Sequence, residues 1–148
     1  WSLNYTKNAI LRDFQISSII TLNSGRPFNL LAGSDLNMDG DSGDGDRPFF
    51  QGVSLPRNAG ITGGFANVDV RLSRTVKLGE TYEFQGFIEA FNLFNRVNIS
   101  EIGRIFPADA QGNFQLPARD GDRFIATPDR FRNAFAPRQF QFGFRLVF

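Results

Sequence analysis

Hydrophobic and polar residues alternate along several stretches of the chain, most regularly from Arg138 to Phe148. Successive side chains of a β-strand point to opposite faces, so this segment is predicted to form a strand with two different faces. One face carries a row of large apolar groups, Phe140, Phe142, Phe144, Leu146 and Phe148. The opposite face carries mostly polar groups, Gln139, Gln141, Gly143, Arg145 and Val147.

The same alternation predicts three more strands, over residues 14–24, 65–76 and 81–94. Residues 1–5 have the composition expected for the tail of a further strand. A helix is the alternative for residues 87–95, but the alternation that precedes them and their β-favouring residues favour a strand. The chain is therefore predicted to be all-β.

Charged residues fall mainly on one side of these strands. In the strand over residues 65–76, Val68 and Val70 share the apolar face, and Arg74 interrupts that face near its end, where an interface can hold a long cationic side chain. The polar sides of adjacent strands carry Asp69, Arg71, Glu83, Glu89 and Arg145. Opposite charges there are expected to pair across the ladder, although an ordinary solvated sheet face has the same composition.

The connections between the strands alternate in length. Residues 6–8 and 77–80 are short turns, whereas residues 28–64 and 95–137 are long and predicted to be irregular. Outer-membrane β-barrels alternate short periplasmic turns with longer outside loops, and their strands are apolar toward lipid and polar toward the lumen. Compact soluble domains connect their elements by about 4–6 residues. A periplasmic C-terminus gives every strand the correct direction, so the pattern favours a barrel over a soluble sandwich.

Composition removes several classes of function. The chain has no Cys and no His, hence no thiolate chemistry and no histidine base to activate a serine or threonine, and we expect no enzyme. Its net charge of +1 gives no case for a nucleic-acid partner. No apolar run approaches the roughly 18 residues of a transmembrane helix, so any insertion must be as a closed barrel. The start at Trp1, without Met or signal peptide, leads us to expect a piece of a longer chain.

An aspartate-rich segment, Asp35 to Asp46, is the sharpest local motif. Calcium loops of the EF-hand type place oxygen ligands at positions 1, 3, 5, 7, 9 and 12, with a glycine at position 6. Gly40 occupies the glycine position, and the ligands predicted for Ca²⁺ are the side chains of Asp35, Asn37, Asp39 and Asp46 and the backbone carbonyl of Asp41. The alternative is a turn cluster whose side chains cap their own backbone, since no helices flank the segment.

Five motifs succeed one another in a recognisable order: residues 24–28, 46–48, 67–74, 91–96 and 137–148. Their sequences are SGRPF, DRP, NVDVRLSR, FNLFNR and PRQFQFGFRLVF. In this order they resemble the C-terminal end of the barrel of TonB-dependent outer-membrane receptors, specifically the Oar-like branch. The resemblance covers nearly the whole chain.

The resemblance implies an antiparallel meander that forms the last five or so strands of a large transmembrane β-barrel, of about 22 strands, with two long extracellular loops. The whole chain would then be the C-terminal part of one barrel domain in the outer membrane of a Gram-negative bacterium. The receptor would import an unidentified ligand, energised by TonB through a plug and a coupling box that have no counterpart in this sequence.

The same resemblance implies further partners: outer-membrane lipid, the rest of the barrel with its plug, and the barrel-insertion machinery. The chain end, with Phe144, Leu146 and Phe148, is similar to the signal which that machinery recognises. The alternative, from a different class, is a secreted calcium-binding β-sandwich that serves in surface adhesion.

Overall fold

The computed structural model describes residues 13–148, so the predicted strand over residues 1–5 and the turn over residues 6–8 lie outside it. The described strands are β1 (Phe14–Asn23), β2 (Pro27–Phe28), β3 (Phe49–Phe50), β4 (Val53–Ser54), β5 (Gly60–Ile61), β6 (Phe65–Leu78), β7 (Tyr82–Phe91), β8 (Ile99–Ile102), β9 (Arg119–Asp120), β10 (Arg123–Ile125), β11 (Phe131–Ala134) and β12 (Gln139–Val147). A single turn of 3₁₀-helix spans Pro128–Arg130.

The prediction of an all-β chain is confirmed, because the strands in the described part of the chain are accompanied by no α-helix. Nowhere in residues 13–148 does a helix reach the length and hydrophobicity that crossing a membrane requires.

The chain divides into two compact units. The first, here called the sheet unit, comprises the described residues up to Leu22 together with Ala66–Val97 and Ala136–Phe148. The second, here called the loop unit, comprises Asn23–Phe65 and Asn98–Phe135, which are the two long connections between the predicted strands.

The sheet unit is a four-stranded sheet in the order β1, β6, β7, β12. Its strands therefore lie side by side in the order in which they occur along the chain. Strand β6 pairs antiparallel with β7, and β7 pairs antiparallel with β12. The predicted strands over residues 14–24, 65–76 and 138–148 are confirmed within two residues at each end. The antiparallel meander is therefore present, although its four described strands do not close on themselves as a barrel.

The strand predicted over residues 81–94 ends earlier, at Phe91. Asn92 and Asn95 have φ angles of +50° and +52°, in the left-handed region, and the Asn95 N–H donates to the Asn92 carbonyl at 2.8 Å. A strand cannot continue through that conformation, and asparagine is among the residues that adopt it most readily. The last three residues of the predicted strand therefore form a turn.

The loop unit was predicted to be irregular, and most of its residues lie outside strands, but it also contains short strands that were not predicted. Its two segments form a four-stranded sheet in the order β2, β5, β10, β9, with β5 and β10 parallel. Its buried apolar cluster consists of Phe28, Leu30, Leu55, Ala59, Phe106, Phe124 and Ala126. The strands of this unit have only two to four residues, which is too short for alternation to be visible in the sequence.

Candidate functional site

The register of the ladders assigns the side chains of the sheet unit to its two faces. Residues paired across a ladder point to the same side of the sheet. One face carries the rows Val70–Ala90–Phe140, Leu72–Ile88–Phe142, Arg74–Gly86–Phe144 and Val76–Phe84–Leu146. The other carries Arg71–Glu89–Gln141, Ser73–Phe87–Gly143, Thr75–Gln85–Arg145 and Lys77–Glu83–Val147. The predicted alternation therefore continues in register across three strands.

The first of these faces, here called the apolar face, is exposed. Phe142 and Phe144 are 71% and 76% accessible to solvent. The other large apolar residues exposed in these rows or at their ends are Val76, Leu78, Tyr82, Phe84, Ile88, Phe140 and Leu146. Among the described residues, Ala90 is the only buried apolar residue of the sheet unit, and the rest of the buried apolar residues belong to the loop unit.

The opposite face, here called the polar face, contains an ion pair predicted from the sequence. The Arg71 guanidinium lies 3.1 Å from the Glu89 carboxylate and 4.2 Å from the centre of the Phe87 ring. The Phe87 ring in turn covers Gly143 across the ladder, because a Cβ added to Gly143 would lie 2.2 Å from its Cζ atom. This face therefore combines charge pairing with one aromatic ring packed over a glycine.

Asp69 was also predicted to pair with an opposite charge, but its carboxylate is held by amide groups. It accepts hydrogen bonds from the Asn67 side chain and from the Asn92 N–H, each at 2.9 Å. The Asn92 side chain is buried, donates to the carbonyls of Arg96 and Ala136, and accepts from the Arg96 N–H. Asp69 thus anchors the turn that ends β7.

Sequence reasoning missed this turn. The signal was the pair of asparagines, Asn92 and Asn95, within FNLFN, since asparagine both adopts left-handed backbone and caps neighbouring amides. The Asn95 side chain accepts from the Arg138 N–H at 3.0 Å, just before β12 begins. The motif therefore fixes where one strand ends and the next starts.

The aspartate-rich segment brings together all three of the carboxylates predicted to bind through their side chains. One carboxylate oxygen from each of Asp35, Asp39 and Asp46 lies within 4.8 Å of the other two. Oxygens that share a Ca²⁺ at about 2.3–2.6 Å are at most about 5 Å apart, so the spacing fits such an ion. Asn37 reaches the group by donating to Asp39, whereas the side chain of Asp41 does not belong to it.

The same side chains also cap the backbone of their own loop, as the alternative interpretation predicts. Asp46 is 2% exposed and accepts from the Leu36 and Asn37 N–H groups. The Asp39 carboxylate accepts from the Asp41 N–H and from the Asn37 amide, and these bonds lower its pKa below the ordinary 3.8. Because the pKa is lowered, Asp39 stabilises the folded loop above pH 3.8, and this contribution is lost as the pH falls through the lowered value.

The residues predicted to form a membrane-insertion signal lie at the end of the sheet unit. Phe144 and Leu146 belong to the apolar face of β12, and Phe148 comes directly after the last strand residue and is exposed. Their side chains are available to a partner, and recognition by insertion machinery stays a prediction.

Comparisons of the chain with protein-family models, with curated proteins and with solved structures gave no match. The function of this chain is therefore inferred from its fold, its site geometry and its sequence motifs.

Proposed function

We propose that the chain forms part of the wall and the outer loops of an outer-membrane β-barrel, whose apolar face contacts lipid and whose polar face lines the lumen. The observation that carries this proposal is the exposure of the apolar face across β6, β7 and β12, in register. Monomeric soluble proteins rarely expose a contiguous apolar patch larger than a few hundred Å².

The dimensions of the sheet support the same proposal. Strand β12 has nine residues, which at about 3.3 Å per residue gives about 30 Å along the strand. A tilt of about 40° reduces this to a height of about 23 Å, close to the apolar band of about 25 Å on outer-membrane barrels. The strand is therefore the right length to cross the hydrocarbon region once.

The edge of the sheet requires further strands. Strand β12 pairs with β7 along one edge, and no strand within residues 13–148 pairs with its other edge. In lipid each unpaired backbone group costs several kcal/mol, so a spanning sheet must close. The rest of the proposed barrel supplies the missing partners.

The receptor type rests on the ordered motifs that resemble the Oar-like branch of TonB-dependent receptors. In that proposal the barrel holds a plug, TonB supplies the energy, and an unidentified ligand is imported. The loop unit, with its own buried cluster, would be the folded extracellular part.

A secreted calcium-binding β-sandwich for adhesion is the second candidate. A sandwich covers the apolar face of one sheet with a second sheet at about 10 Å. The exposure of Phe142 and Phe144, at 71% and 76%, disfavours it. The aspartate-rich loop serves either candidate equally well.

Membrane fractionation distinguishes the two candidates. We expect the protein in the outer-membrane fraction, released by detergent and retained through washes with high salt or alkali. Recovery of the protein from the medium, or as a soluble species without detergent, would contradict the barrel and favour the sandwich.

A further inference from the structure

The apolar face contains one cation. In the ladder rows shared by β6, β7 and β12, Arg74 is the only charged residue on that face. It is half-buried, and its guanidinium carbon lies 5.0 Å from the centre of the Phe14 ring. A long cationic side chain on this face can place its charged end at the membrane interface, beside anionic head groups.

A hollow lies beside this arginine on the apolar face. Its volume is about 590 Å³, and Arg74 lines it together with Phe14, Leu72, Phe84, Ile88 and Phe142. It forms where the row Arg74–Gly86–Phe144 crosses β7, because Gly86 contributes no side chain. A Cβ added to Gly86 would meet only the Phe84 ring, at 3.7 Å, so there is free space above the glycine.

A groove that is apolar along its length and cationic at one point matches a ligand with a hydrocarbon chain and an anionic head. The arginine fork binds phosphate through two parallel hydrogen bonds, and its five N–H donors accommodate a phosphate in addition to contacts within the protein. The aliphatic and aromatic lining suits an acyl chain, since both surfaces leave water together.

The position of Arg74 along β6 indicates which leaflet of the membrane its guanidinium would reach. It lies four residues before Leu78, the last residue of β6, and the strand then turns at Gly79. Four residues correspond to about 13 Å along the strand, or about 10 Å in depth at a tilt of about 40°. A guanidinium on its aliphatic stem reaches the head-group level from that depth. In the proposed orientation this turn is periplasmic, so the head group belongs to the inner leaflet.

We propose that Arg74 and the hollow beside Gly86 bind one diacyl phospholipid of the inner leaflet, with its phosphate on the guanidinium and an acyl chain along the hollow. This inference rests on the proposed membrane function, because only the lipid-facing side of a barrel meets such a ligand.

The test measures lipid retained by the complete protein, purified from outer membranes in mild detergent, by native mass spectrometry. Phosphatidylglycerol and diacylglycerol with the same acyl chains are added in equal amounts, so that they differ only in the anionic head. We expect retained phosphatidylglycerol to exceed diacylglycerol by about tenfold or more, which corresponds to roughly 1.4 kcal/mol.

Two variants with matched controls assign the binding to this site. Arg74→Gln is expected to abolish the preference for phosphatidylglycerol, whereas Arg145→Gln, on the polar face, preserves it. Gly86→Leu, which fills the hollow and keeps the arginine, is expected to reduce retention of both lipids, whereas Gln85→Leu, on the adjacent residue and the polar face, preserves it. The two positions test the phosphate and the chain separately.

Equal retention of the two lipids by the unaltered protein would overturn the inference, as would an Arg74→Gln variant that keeps the preference. Displacement of phosphatidylglycerol by a lower concentration of lipid A would also overturn it, by assigning the site to the outer leaflet. In each case the protein still requires detergent, so the barrel stands. Recovery of the protein as a soluble species without detergent would contradict both the proposed barrel and the proposed lipid site.

Discussion

Two glycines in neighbouring rows of the sheet have opposite surroundings. Gly143 lies under the Phe87 ring, and an added Cβ would sit 2.2 Å from Cζ, whereas at Gly86 the nearest contact would be 3.7 Å. We expect Gly143→Ala to destabilise the protein by about 1–3 kcal/mol, because the Phe87 ring must move and its packing on Arg71 is lost. Gly86→Ala is the control.

Equilibrium unfolding by urea of the complete protein, folded into lipid vesicles, measures both variants. We expect Gly86→Ala to change the free energy of unfolding by less than about 0.5 kcal/mol. Equal losses for the two alanines would mean that the ring does not cover Gly143.

A charge placed on each face gives a second test at the residue scale. Phe142→Arg puts a guanidinium on the apolar face and is expected to cost about 2–4 kcal/mol if that position lies near the middle of the bilayer. Gln141→Arg, on the adjacent residue, points to the polar face and is expected to be close to neutral. The same vesicle unfolding experiment measures both, and a larger loss for Gln141→Arg would reverse the assignment of the faces.

Residue faces were predictable from the sequence, whereas the end of β7 was not. The period of a strand is two, so Phe142 and Phe144 identify their face without further information. The end of β7 depends on Asn92, whose partners Asp69 and Ala136 are distant in the chain. Such contacts leave no periodic signal, and the predicted strand therefore ran three residues too far.

At the scale of elements, the side chains of the aspartate-rich loop have two roles in the structure: they cluster with one another, and they cap the backbone of the loop. Asp35, Asp39 and Asp46 gather their oxygens and also accept backbone N–H groups. Calcium binding stays a prediction from the sequence spacing. If it is correct, Ca²⁺ neutralises the repulsion of the carboxylates and protects the loop from proteases.

Limited proteolysis in calcium and in chelator checks this prediction. We expect cleavage between Asp35 and Asp46 to be slower in calcium, and we expect Asp46→Asn to remove the difference. Asp44→Asn is the matched control, since Asp44 lies in the same loop but outside the carboxylate group. Identical digestion in calcium and in chelator would leave only the capping role.

The short strands within the two long connections could not be predicted from the alternation of apolar and polar residues. Their order emerges from pairing between segments far apart, such as β5 with β10 and Leu31 with Ile105. Gly60 allows the Phe28 ring to pack directly on the backbone of β5, since a Cβ there would lie 2.4 Å from Cζ. The compositions of the two segments, rich in Gly, Asp and Asn, are those of irregular loops, so the short strands within them were not predicted.

At the scale of the whole molecule, we expect that residues 1–148 alone are not self-sufficient. The edge of β12 that pairs with no strand of residues 13–148 and the row Phe140, Phe142 and Phe144 would both be exposed to water. An unpaired edge beside an apolar surface promotes association between chains. The isolated chain should therefore aggregate in buffer, as measured by light scattering and size-exclusion chromatography. A monodisperse monomer that unfolds cooperatively in plain buffer would contradict this.

Contact between the apolar face and lipid underlies both proposals, and single-cysteine labelling measures it directly. The chain has no cysteine, so each introduced thiol is unique within it. Cysteines at positions 141, 142, 144 and 145, one at a time in the complete protein in its membrane, are exposed to a lipid-soluble thiol reagent. We expect strong labelling at 142 and 144 and weak labelling at 141 and 145. Labelling without alternation, or strongest at 141 and 145, would contradict the lipid-facing assignment.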